Sequence, residues 1–207
     1  MSEPMKNPNA PESFTPKTPE ILNQAARHHH PIETLVETIT FKGGTLEVVK
    51  RPDVLWVGCV DYADNNEGES DIDKTLKRYE ALANVPKREL INPNWGAALS
   101  INYTTNEKPN GLMLAQETYT NQQDERYQLF TQPGGLWLRV CCNKKNSLAF
   151  FGEENAQEFM YFGPLRDAAT VGGYKQNPDI YVEMEYNGHA GEHGTRVGYA
   201  YIPVVKV

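Results

Sequence analysis

The chain has 207 residues, 39% of them hydrophobic and 23% charged, an ordinary globular balance that excludes a wholly disordered polypeptide. Its formal charge is −7, and an acidic chain with no long basic run is a poor match for nucleic acid or an anionic membrane surface. No apolar run reaches the roughly 18 residues of a membrane span, and the opening MSEPMKNPNAPESF has no signal-peptide core, so the expected location is the cytoplasm.

Residues 1–20 are rich in Pro, Asn, Ser and Glu and predict a solvated tail. Ile32, Leu35, Val36 and Ile39 have helical spacing, and His28, His29 and His30 form a polar turn before Pro31. Residues 1–40 are therefore expected to be a loosely packed N-terminal tail, with the folded domain at 41–207. Gly43-Gly44 opens that domain, and strand-like runs follow at 45–50 and 54–60. Ser70 is the expected N-cap of a helix over 71–83, whose apolar face is Ile72, Leu76, Tyr79 and Leu82. Strands are expected at 96–104 and 112–120. In the second half they are expected at 127–130, at 136–142 with an extension through 147–152, at 179–186 and at 195–205. Residues 153–169 read as a helix broken at Gly163-Pro164. Cys59, Cys141 and Cys142 are neither a disulfide framework nor a zinc motif and read as buried small hydrophobes.

Pro52-Asp53-Val54-Leu55-Trp56 aligns with Pro133-Gly134-Gly135-Leu136-Trp137, 81 positions on. The same offset carries the helix at 71–83 and the strands at 97–103 and 112–120 onto later elements. The pattern predicts an α+β fold: duplicated β-α-β-β units over about 45–120 and 127–205, related by a pseudo-twofold. An antiparallel sheet would carry the helices outside and leave a cleft between the halves.

The order of VVKRPDVLWVGCV, QPGGLWLRV, PDIYVEMEYN and RVGYAYIPVV resembles the GyrI-like, or AraC-type effector-binding, small-molecule-binding family over about 45–205. Residues 1–40 are too short for the complete winged-helix DNA-binding domain that many regulators of this family carry, so the chain resembles a stand-alone member. The resemblance implies a small-molecule ligand and a binding glutamate on the 179–186 strand; the charge balance predicts no nucleic-acid or membrane partner, and no phosphate-binding or dinucleotide motif marks a cofactor. Alternation puts Tyr181, Glu183 and Glu185 on one face of that strand. The residues alone leave open whether this face lines a cleft or meets solvent, and which glutamate holds the slot; Glu185 is the preferred one. Two carboxylates among aromatic rings would attract flat, hydrophobic, cationic or electrophilic compounds. Trp56, Trp95, Trp137, Tyr103, Tyr181 and Phe162 are the candidate aromatic walls.

Some stand-alone members of the resembled family open cyclopropane rings of DNA-alkylating natural products. On that alternative Glu185 or Glu183 would activate water, and Tyr161 or Tyr174 would polarise the substrate. A second alternative is a protein-interaction module shielding a target such as DNA gyrase. The oligomeric state is left open. His189-Ala190-Gly191-Glu192-His193 matches a zinc-protease string, but it lies in a glycine-rich turn rather than a helix and reads as a solvated loop, so no metal site is expected. The sequon Asn102-Tyr103-Thr104 falls on an expected strand and reads as idle.

Overall fold

The structure is a computed structural model that describes residues 30–63, 72–103, 108–190 and 195–207. Ser70 and most of the His189–His193 string lie outside the described residues. Contacts divide the chain after His30, and the unit considered below is Pro31–Val207. It is an α+β fold built on an open antiparallel sheet of ten strands.

The strands are β1 (Thr34–Phe41), β2 (Gly44–Arg51), β3 (Val54–Tyr62), β4 (Trp95–Ile101), β5 (Gly111–Thr118), β6 (Gln128–Gln132), β7 (Gly135–Cys141), β8 (Tyr174–Gln176), β9 (Val182–Ala190) and β10 (Thr195–Lys206). Helices α1 (Ile72–Ala81), α2 (Lys144–Phe151) and α3 (Phe162–Val171) lie between them, with a 3-10 turn at Glu158–Tyr161. The spatial order is β1-β2-β7-β10-β9-β4-β5-β3-β6, with β8 also on β10. The run β3-α1-β4-β5 and the run β7-α2-α3-β8-β9-β10 thus meet at the β4–β9 seam, and the second is not a copy of the first in its element order. Among the described residues no helix is long and apolar enough to cross a membrane.

Three local readings are corrected. Residues 34–41 are a strand, not a helix. A bulge between Leu35 and Glu37 inserts Val36 and breaks the alternation, which leaves apolar residues at helix-like spacing. The hairpin closes through Lys42 and Gly43, both at positive φ (48° and 81°), the geometry of a tight two-residue turn. Residues 144–151 are helical rather than a strand extension. Asn143 caps the helix by accepting the Asn146 N–H at 2.9 Å, and left-handed Gly152 donates to Leu148 O at 3.1 Å to close it. Gly163-Pro164 is no break: both residues sit in the first turn of α3, where a proline removes no helical hydrogen bond.

The sheet has two unlike faces. On the helix face, α2 and α3 pack on Leu46, Val48, Leu138, Val140, Ala200 and Ile202. Val57 and Cys59 pack with Tyr79, Leu82 and Tyr127 in a smaller cluster. The opposite face carries the largest core, with Trp56, Trp95, Trp137, Tyr186, Tyr199 and Tyr201. Cys59 is buried as expected, in the smaller helix-face cluster, whereas Cys141 and Cys142 are only partly so, because they lie at and beyond the end of β7.

Gly58 belongs to the strand held between β5 and β6. A Cβ there would lie 2.0 Å from Leu114 O and 2.7 Å from Ala115 Cα, both backbone atoms. Gly58→Ala is expected to cost about 3 kcal/mol; urea unfolding measures it, and an unchanged midpoint would contradict this packing.

Candidate functional site

Register locates the site. Val140, Ala200, Glu185, Ala98, Leu114 and Cys59 lie directly opposite one another across β7, β10, β9, β4, β5 and β3. Val140 and Ala200 at one end belong to the α2–α3 core, and Cys59 at the other to the smaller cluster. Cross-strand neighbours share a face, so Glu185 points to the helix face. Glu183, two residues away and opposite Ser100, points the same way, as does Asn187, opposite Gly96 and Gly198.

The middle of this row is not sealed. Gly96, Ala98, Ser100, Leu114, Glu185 and Asn187 are each only half-buried although their strands are central. The floor between the two helical groups is thus open, small-sided and acidic. Glu158 enters it from the 3-10 turn: a Cβ on Gly198 would lie 2.6 Å from Glu158 Oε1 and 2.7 Å from Asn187 Oδ1. Asn187 Oδ1 is buried with no donor among the described residues. A cavity of about 270 Å³ opens at this end, walled by Tyr79, Asn94, Trp95, Gly96, Gln116 and Asn187.

The apolar stripe of α1 departs from expectation. Tyr79 walls the cavity, but Ile72 and Leu76 on the same stripe are 61% and 43% exposed, and Thr75 takes the buried position instead. Phe159, beside Glu158, is also exposed. A second hollow of about 570 Å³ lies over β6, but its one charged wall residue, Asp53, already accepts the Gly134 N–H at 2.7 Å.

Glu183 and Glu185 come together on the groove floor, in different states. Glu183 is buried, ion-paired to Arg166 of α3, and accepts from Gln176 Nε2 at 3.2 Å. Glu185 is half-buried at the seam.

Trp56 and Trp137 do not join the glutamates. Both are fully buried on the opposite face, where Trp56 Nε1 donates to Gln132 Oε1 at 2.7 Å. Trp95 stacks on Tyr186 at 5.1 Å and reaches the cavity only at its rim. Phe162 is buried in the α2–α3 core, Tyr103 is exposed beyond β4, and Tyr181 is half-buried before β9.

The two candidate hydroxyls are enclosed. Tyr161 packs against Phe150 and Phe151, and its hydroxyl is buried beside Ser147. Burial pushes it up to about 12. Tyr174 donates to Glu37 of β1, and that bond, with burial, pushes it up to about 12.

Sequence reasoning missed a buried ionic cluster on the opposite face. Arg51 is ion-paired to Glu117 and to Glu33 Oε1 at 3.3 Å. Arg139 pairs with Glu33 Oε2 at 2.5 Å and with Glu47 Oε2 at 2.8 Å. Tyr186 donates to Glu117 Oε2 at 3.0 Å. The available signal was an arginine inside the apolar run LWLRVCC, which requires a buried partner.

No family model matches the chain, and no curated protein does. Among solved structures, the C-terminal domain of EcmrR superposes with a TM-score of 0.52 at 11% identity, over 78% of this chain and 98% of that one. A putative bacterial transcription regulation protein from Staphylococcus aureus MU50 gives 0.49 at 10% identity, over 77% and 97%. An integron cassette protein from the mobile metagenome of Vibrio cholerae gives 0.47 at 12% identity, over 82% and 100%. At such identities the likeness to the EcmrR domain is one of fold alone.

Proposed function

We propose that this chain binds a flat, hydrophobic, cationic small molecule in the helix-face groove along the β4–β9 seam. The observation that carries the reading is the gap in burial there: half-buried Gly96, Ala98 and Ser100 beneath Glu183, Glu185 and Asn187, between fully buried flanks. The floor presents acceptors, and Asn187 Oδ1 lacks a donor among the described residues, so a ligand bearing N–H groups and positive charge complements it. Exposed Ile72 and Leu76 continue the Tyr79 cavity wall and suit an apolar body. The fold likeness to the EcmrR C-terminal domain and the resemblance to effector-binding domains agree with this reading. Nothing favours ring-opening hydrolysis over binding, since the Tyr161 and Tyr174 hydroxyls are enclosed.

Ethidium titration followed by fluorescence tests it. Glu185→Gln is expected to weaken binding about tenfold, the effect of one partly screened charge. Glu183→Gln is expected to weaken it as well, and to release Arg166 of α3. Equal affinity in wild type and Glu185→Gln would refute the assignment. A water adduct on a cyclopropane-bearing electrophile, formed by wild type and not by Glu185→Gln, would instead establish the hydrolase.

A further inference from the structure

Opposite the groove, Glu47, Arg139, Tyr201 and Met184 face one another across β2, β7, β10 and β9. Arg139 lies over the Tyr199 ring at 5.1 Å and Arg51 over the Tyr201 ring at 5.4 Å. Two guanidiniums are thus held among aromatic rings by strands. Glu117 and Glu47 alone would already balance them. The third carboxylate, Glu33, is not on a strand: it comes from the short segment ahead of β1.

Glu33 fits this place incompletely. Its Oε2 takes the Arg139 N–H at 2.5 Å and lies 3.4 Å from the Tyr201 hydroxyl. Its Oε1 lies 3.3 Å from Arg51 but makes no hydrogen bond among the described residues. Arg51 Nε and Trp137 Nε1 are also buried without an acceptor among the described residues. The cluster therefore has donors in excess even with Glu33 in place.

We infer that the Arg51–Arg139 pair is a binding site for a carboxylate on an aromatic body, and that Glu33 is its resident, exchangeable occupant. Residues 31–33, ahead of β1, act as a strap, and an incoming aryl carboxylate takes the two guanidinium N–H groups while its ring takes the place of Ile32 against the core of Tyr199, Tyr201 and Trp137. No covalent step is involved. This inference is independent of the groove, which lies on the other face and asks for a cation.

Thermal unfolding of the full chain with benzoate, and with neutral benzamide as control, tests it. Glu33→Ala is expected to lower Tm by about 5 °C. Benzoate at ten times its Kd is expected to return about 4 °C, benzamide nothing, and wild type is expected to respond at least tenfold more weakly in benzoate concentration. Arg139→Gln added to Glu33→Ala is expected to abolish the rescue. Should Glu33→Ala not fold, Glu33→Gln serves, since it keeps the shape and loses the charge. A folded Glu33 variant that ignores benzoate, or one that benzoate and benzamide stabilise equally, would overturn the inference.

Discussion

Replacing Arg51 by methionine is expected to destabilise the fold by about 3–5 kcal/mol, because it leaves buried carboxylates with a partner removed. Arg51 is fully enclosed and ion-paired to both Glu117 and Glu33. Burial pulls its pKa down, but the two carboxylates outweigh it, and the pKa lies above its ordinary value. In a chain of this size the loss corresponds to a Tm lower by about 10–15 °C. The double replacement Arg51→Met with Glu117→Gln should recover part of it, since the stranded charge is then gone. Calorimetry of the two variants decides; a single variant within about 1 kcal/mol of wild type would mean the cluster is not buried as described.

The second large effect is with alkali. Burial raises the Tyr161 phenol to about 12, and the hydrogen bond to Glu37, with burial, raises Tyr174 to about 12. Tyr186 and Tyr201 are raised further, chiefly by burial and then by Glu117 and Glu33 respectively. In the unfolded chain a tyrosine ionises near pH 10. A folded pKa above the unfolded one contributes stability that is fully present below about pH 10 and is lost as pH rises. Stability should hold from pH 8 to 9 and then fall steeply, with Tyr161 alone accounting for on the order of 2–3 kcal/mol by pH 12. Tyr161→Phe should flatten that slope and cost no more than about 1 kcal/mol at pH 7, because the hydroxyl's neighbour Ser147 keeps the Ala156 N–H as a partner. An identical alkaline slope in Tyr161→Phe would contradict the buried placement.

Much of this fold was legible in local pattern. Alternation through VEMEY put Glu183 and Glu185 on one face, and the Pro-x-x-Leu-Trp pair marked the openings of β3 and β7. Local pattern failed where one inserted residue shifted a strand, as Val36 did in β1, and where caps outweighed strand-like residues, as Asn143 and Gly152 did around Leu148, Phe150 and Phe151. The site was half legible. Which face of one strand matches which face of the next depends on register, and register set Trp56 and Trp137 behind the sheet from the glutamates. Glu33 was out of reach because it precedes β1 while its partners Arg51 and Arg139 lie on β2 and β7, further along the chain.

The central claim, that the helix-face groove and not the aromatic face takes the cationic ligand, is tested most directly by adding bulk to its floor without changing charge. Ala98 is half-buried there and directly opposite Glu185. Isothermal titration of ethidium into wild type and Ala98→Leu is the measurement. The account predicts at least a tenfold loss of affinity in Ala98→Leu with Tm close to wild type. Undiminished binding to Ala98→Leu would place the ligand elsewhere and contradict it.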